Sequence, residues 1–123
     1  MEEAVILVVE DEALVGMELQ ESLEKVGYSV PEVVLSSEQF LPAVHKHKPD
    51  IVLMDINLNS FIDGVSSVQR MNIMGNTPVI YLTAYRDEMT RKRALRTNPR
   101  DYLIKPVSEE ELYKAVETAL GRS

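Results

Sequence analysis

The chain has no cysteine, no tryptophan and only two phenylalanines among its 123 residues. Without cysteine there is no disulfide framework and no thiolate metal site, a composition that suits the cytosol. No apolar run approaches the roughly 20 residues that a helix needs to cross a bilayer, so no membrane association is expected. The opening Met1-Glu2-Glu3 is acidic and leads straight into an apolar stretch, unlike the basic start of a secretory signal. Positive charge is also scarce. Thirteen Lys and Arg stand against twenty Asp and Glu, a net charge of −7, which suits solubility and argues against direct nucleic-acid binding through basic patches. There is no internal repeat, linker or low-complexity segment. What remains, 45% hydrophobic and 27% charged residues, is the balance of an ordinary globular domain. A length of 123 residues makes one domain, 1–123, with a single good core.

Apolar runs and helical patterns alternate five times. Residues 4–9 read as a first buried strand, followed by a helix over 12–26 with Leu14, Val15, Leu19, Leu23 and Val26 at helical spacing and Gly27 as its C-cap. Residues 30–35 form a weaker strand, broken at Pro31 and therefore expected at an edge. Ser36 and Gln39 have the spacing of a capping box, opening a helix through about His47. Ile51-Val52-Leu53-Met54 is a third strand that runs into Asp55, followed by a polar loop over 56–63. Gly64 opens a shorter helix to about Asn72, with Val65, Val68 and Met71 inward. A turn at 75–78 leads to a strand over 79–82 ending at Thr83. A charged helix over 87–97 is stopped by Asn98-Pro99, and a short strand over 102–104 ends at Lys105-Pro106. Ser108 and Glu111 form a second capping box for a last helix to about Leu120. Such alternation implies right-handed βαβ units and a five-stranded parallel sheet with five helices on its two faces. The fold class is doubly wound, flavodoxin-like α/β, with an expected strand order 2-1-3-4-5.

Open sheets of this kind place ligands at the carboxyl ends of their strands. There the first strand delivers Glu10-Asp11-Glu12, the third Asp55, the fourth Thr83 and the fifth Lys105. Each has a bland reading: a helix cap with favourable dipole charge, a loop aspartate, a strand-end hydroxyl, a solvated lysine. Their conjunction around one crevice is what points to chemistry. Carboxylates a few ångströms apart repel unless a cation intervenes, and two or three of them suit Mg²⁺, a hard ion that leaves its other positions to water and phosphate oxygen. A carboxylate can attack phosphorus to form an acyl phosphate. Mg²⁺, the Lys105 ammonium and the Thr83 hydroxyl would then each meet one phosphoryl oxygen, since phosphoryl transfer is mostly positioning and charge neutralisation.

The same residues carry a family resemblance. Val8-Val9-Glu10-Asp11-Glu12, Leu53-Met54-Asp55-Ile56-Asn57-Leu58, Asp63-Gly64, Leu82-Thr83-Ala84 and Tyr102-Leu103-Ile104-Lys105-Pro106 stand in order over essentially the whole chain. In these motifs the chain resembles the receiver domain of two-component response regulators. The resemblance implies that Asp55 is the phosphoacceptor, served by a sensor histidine kinase or a phosphotransfer protein. It implies that Asp11, Asp55 and the backbone carbonyl of Asn57 bind Mg²⁺, with Glu10 assisting through water. Thr83 would be the switch hydroxyl, Tyr102 the switch aromatic and Lys105 the phosphate's partner, with a cis bond to Pro106. The protein so implied is a cytoplasmic signalling switch that slowly hydrolyses its own acyl phosphate, either standing alone or as part of a longer regulator or hybrid kinase.

Two departures concern the loop after Asp55. Receivers often have proline four residues after the acceptor, where this chain has Asn59, and Asp63-Gly64 comes one residue later than in the commonest spacing. The helix carrying Arg86, Arg91, Lys92, Arg93 and Arg96 is by default a solvated face. Its second reading is an output surface that meets an unknown partner or, on phosphorylation, a second copy. His45 and His47 are expected at the surface and not as metal ligands. A Mg²⁺-dependent phosphohydrolase with an aspartyl-phosphate intermediate is the enzymatic alternative, but no cap insertion is present to enclose a small substrate. A flavin-binding module is disfavoured by three carboxylates where a phosphate loop should follow the first strand.

Overall fold

The computed structural model describes residues 3–58, 62–84 and 87–122. Strands form where apolar residues run unbroken, and helices where they recur at helical spacing. In chain order the elements are β1 (Ile6–Val9), α1 (Ala13–Lys25), β2 (Val33–Val34), α2 (Ser37–His47), β3 (Ile51–Met54), α3 (Gly64–Met74), β4 (Val79–Thr83), α4 (Glu88–Leu95), β5 (Asp101–Ile104) and α5 (Glu109–Ala119). All strand pairs are parallel, in the order β2-β1-β3-β4-β5. The doubly wound arrangement is therefore as expected, with the short β2 at one edge.

Every residue of β1, β3 and β4 is buried, because a parallel sheet with helices on both faces leaves neither face to water. The period of two divides these residues between two cores. Leu7, Val9, Val52, Met54 and Tyr81 pack with Phe40 of α2 and with Val65 and Val68 of α3. Ile6, Val8, Ile51, Leu53 and Ile80 pack on the other face with Leu23 of α1 and with Leu112 and Val116 of α5. Among the described residues no helix is long and apolar enough to cross a membrane.

Gly27 adopts φ +102°, the left-handed cap conformation that glycine takes without steric cost. Ser108 and Glu111 form the reciprocal capping box. Other expectations fail for identifiable reasons. Leu14 is 76% exposed; about two and a half turns separate it from the buried Leu23, which puts the two on opposite faces of α1. Val26 lies beyond the end of α1 and is half exposed. Ser36 occupies the N-cap of α2, but its side chain makes no capping bond. The loop after Asp55 is not uniformly polar, since Ile56 and Leu58 sink into the core beside α3. His47 is not a free surface group: half-buried, it bonds Glu32 at 2.8 Å and ties α2 to the segment before β2, whereas His45 is exposed.

Candidate functional site

Parallel register brings the strand ends together. Val9 of β1 is paired with Met54 of β3, so the next residues, Glu10 and Asp55, emerge side by side. The Asp55 N–H donates to the Val9 carbonyl at 3.0 Å, and the Glu10 N–H to Val34 at 2.9 Å. One carboxylate oxygen from each of Glu10, Asp11 and Asp55 lies within 4.8 Å of the others. Glu10 and Asp55 are buried, at 1% and 6% exposure, and Asp11 is half-buried.

Lys105, one residue beyond β5, reaches over this cluster. Its Nζ is 2.7 Å from Glu10 Oε2 and 3.3 Å from Asp55 Oδ2. Its backbone continues the sheet by donating to the Thr83 carbonyl at 2.8 Å, and the bond to Pro106 is cis. The remaining oxygens have donors too: Asn57 N–H to Asp55 Oδ1 at 3.1 Å and Glu12 N–H to Glu10 Oε1 at 3.2 Å. Burial pushes the Glu10 carboxyl above the usual range and the Asp55 charge adds to it, against the pull of the Lys105 bond. Burial works against the Lys105 ammonium, but the Glu10 hydrogen bond and the Asp55 charge outweigh it and hold its pKa above the ordinary lysine value. Three carboxylates against one ammonium leave an excess of negative charge in a partly desolvated crevice. The donor atoms are all hard oxygens. This set fits Mg²⁺ and offers nothing to a thiophilic ion.

Thr83 ends β4 and is fully buried. Tyr102 lies across from Tyr81 in the β4–β5 register, half-buried, with the two ring centroids 6.1 Å apart and the rings tilted at 55°. Among the described residues no buried side-chain nitrogen or oxygen lacks a partner. The structure therefore gathers Glu10, Asp11, Asp55 and Lys105 into one cluster, with Thr83 at the end of the next strand. Tyr102 packs one strand further out. Asn57 touches Asp55 through its N–H. Asn59 and Arg86 lie outside the described residues.

The sequence reading named Asp63-Gly64 as a motif but not what either residue touches. Gly64 opens α3 directly against Asp55: a Cβ there would overlap the Asp55 carbonyl oxygen and lie 2.9 Å from Ile56 Cα. A glycine at the start of a helix, where most residues have better propensity, was the available signal. Asp63 Oδ1 caps α3 by accepting from the Ser66 N–H at 2.9 Å. Arg93 of α4 donates to both of its oxygens, at 2.9 and 3.3 Å. Arg93 is thus not part of a purely solvated face. Burial alone would raise the Asp63 carboxyl, but the Arg93 and Ser66 hydrogen bonds outweigh it and hold the group below the usual carboxylate range.

Comparison with known proteins gives the chain's family. A family profile described as the response regulator receiver domain matches residues 6–117. The transcriptional regulatory protein PdtaR of Mycobacterium tuberculosis is 32% identical over 117 residues, covering 95% of this chain and 57% of PdtaR. The transcriptional regulatory protein BaeR of Escherichia coli is 32% identical, covering 95% of this chain and 48% of BaeR. The chain thus spans about half the length of these curated relatives. The signal receiver domain of a modulated diguanylate cyclase from Desulfovibrio desulfuricans superposes with a TM-score of 0.90 at 36% identity, covering 98% of this chain and 96% of that one.

Proposed function

The chain belongs to the response regulator receiver domain family, and from that premise we propose that it is a phosphoryl-accepting switch whose acceptor is Asp55. The observation that carries the reading is the juxtaposition of three carboxylates within 4.8 Å under the Lys105 ammonium. The donor is a phosphohistidine of a sensor kinase or phosphotransfer protein. A carboxylate oxygen of Asp55 bonds to phosphorus as the P–N bond breaks, and the electron pair leaves on the imidazole nitrogen, giving an acyl phosphate.

Each residue has a stated task. The Asn57 N–H and Lys105 Nζ hold opposite oxygens of Asp55, which orients the nucleophile before the phosphoryl group arrives. Lys105 shifts its Asp55 contact to a phosphoryl oxygen while Glu10, buried beside it, keeps the ammonium in place. Asp11 and Asp55, with the Asn57 carbonyl and with Glu10 through water, would hold Mg²⁺, which when bound neutralises charge building on the phosphoryl oxygens. The Thr83 hydroxyl turns to the phosphoryl group from the end of β4, and Tyr102 follows inward, changing the surface of α4 and β5. Water later cleaves the acyl phosphate, so the group is carried and released and not turned over on small substrates. PdtaR and BaeR are named as transcriptional regulatory proteins. Transcriptional control is accordingly one output of this switch, and these 123 residues, with their net negative charge, are not expected to bind nucleic acid directly.

The test is incubation with Mg²⁺ and acetyl phosphate, read by intact mass. One phosphoryl group is expected on the wild type and none on Asp55→Asn. An unchanged gain in Asp55→Asn, or no gain in the wild type with beryllofluoride also silent, would sink the reading. Steady hydrolysis of a phosphomonoester would favour the phosphohydrolase instead.

A further inference from the structure

Helix α4 is weakly attached. Of its eight residues only Ala94 is buried. Arg93 ties the last turn of the helix to Asp63 by two hydrogen bonds and reaches Ser66 Oγ at 3.4 Å. Just past the helix, Thr97 bonds the Tyr81 hydroxyl at 2.8 Å. The Asp63 end of the Arg93 tether leads to the acceptor by a short path. Gly64 follows Asp63, donates its N–H to the Ile56 carbonyl at 2.9 Å and sits against the Asp55 carbonyl with no room for a Cβ. The contacts thus run unbroken from Arg93 through Asp63 and Gly64 to the backbone of Asp55.

We propose that Arg93 is a positioning residue that acts as a brake: bonded to Asp63, it holds α4 and the start of α3 in the arrangement belonging to the unphosphorylated protein. This rests on the reading of Asp55 as phosphoacceptor. Four residues separate Thr83 from the first residue of α4, so drawing the Thr83 hydroxyl toward a phosphoryl group pulls on the helix that Arg93 anchors. A ligand at Asp55 then works against the tether, and by linkage removal of the tether strengthens binding of that ligand.

The test measures beryllofluoride affinity at saturating Mg²⁺ by fluorine NMR, on folded protein verified by thermal melts. Arg93→Ala and Asp63→Asn are both expected to bind about two- to fivefold more tightly, the range for an ion pair this exposed. Asparagine can still cap α3, so Asp63→Asn keeps the fold while losing the charge that Arg93 needs. The double variant should bind no more tightly than either single one, Arg93→Lys should return most of the way to wild type, and Arg96→Ala, an equal loss of charge on the exposed side, should change nothing. A merely structural role predicts lower melting temperatures with affinity unchanged or weakened, and that result overturns the brake. Additive effects of the two single changes would also overturn it. Failure of wild type to bind beryllofluoride in an Asp55-dependent way would remove the acceptor reading itself, a distinct outcome that takes the brake with it.

Discussion

Gly64→Ala sets two opposing effects against each other, and the structure decides the sign. Gly64 is the first residue of α3 and its φ is not positive, so helix propensity alone favours alanine by up to about 1 kcal/mol. Against this, the new Cβ would overlap the Asp55 carbonyl oxygen and stand 2.9 Å from both Ile56 Cα and Met54 Cγ. The Met54 side chain can turn aside. The two backbone atoms cannot, because they follow directly on β3 in the middle of the sheet. Overpacking of this kind costs about 1 to 3 kcal/mol, and rigid backbone at two of the three contacts places it at the upper end, leaving a net loss of about 2 kcal/mol. For a domain between the smaller and larger size classes, each kcal/mol is worth about 3 to 5 °C, so the melting temperature should fall by about 6 to 10 °C. Relief requires α3 to move off Asp55, the proposed acceptor, and misplacing a reacting group by about 1 Å can cost 10²-fold, so phosphorylation by acetyl phosphate should slow at least about tenfold. Calorimetry checks the first number and intact mass the second. Gly75→Ala is the reference, since Gly75 has an extended φ of −176° and nothing lies within 4 Å of a Cβ there; it should change stability by no more than about 0.5 kcal/mol. A Gly64→Ala protein as stable as wild type would refute the close approach.

Three further outcomes are expected. Asp11→Asn should raise the melting temperature in EDTA: carboxylates within 4.8 Å repel by about 3.5 kcal/mol or more per pair at an effective dielectric of 20, which solvent around half-buried Asp11 and the nearby Lys105 ammonium reduce to about 1 kcal/mol. The same variant should lose the stabilisation by Mg²⁺ that wild type shows, which melts with and without the ion will check. Burial pushes the Tyr81 hydroxyl up to about 12 from an ordinary 10.0. The folded protein therefore keeps a proton that the unfolded chain gives up, and stability falls as pH rises from 10 to 12, by about 2.7 kcal/mol over the two units. Denaturant titrations at these pH values should show a shallower fall in Tyr81→Phe. Asp63 has its carboxyl held below the ordinary 3.8, so its contribution is complete above that value and is lost as pH falls through the native pKa. Asp63→Ala should cost about 1 kcal/mol at neutral pH through the lost cap and should flatten the acid limb of the stability profile.

Local pattern was enough for the architecture. Unbroken apolar runs such as Ile51–Met54 are buried strands because a parallel sheet needs both faces covered, and that requirement acts on neighbouring residues alone. The positions of Glu10, Asp11, Asp55, Thr83 and Lys105 were legible for the same reason, each being the first polar group after such a run. The capping box at Ser108 was equally local. Where a local signal competed with tertiary packing it failed: Leu14 shares the helical spacing of α1 yet faces water, Ser36 has the spacing of a cap and makes none, and Ile56 and Leu58 leave a polar stretch for the core.

Only the folded chain decides which of these groups meet. Whether Lys105 rests on Glu10 as well as Asp55 depends on strands β1, β3 and β5 converging at one sheet edge, and no spacing along the chain encodes that distance. The Asp63–Arg93 pair joins residues 30 positions apart, and the Glu32–His47 pair joins β2's approach to the end of α2. Gly16 and Gly64 are visible as letters, but the reasons for them are Val33 in one case and the Asp55 carbonyl in the other, each lying where a Cβ would go. Sequence alone determined the elements and the polar groups at their ends, because these follow from periodicity and residue type. Tertiary structure decided the contacts, because the right-handed crossovers that carry each helix over the sheet set which side chains come within a few ångströms of one another.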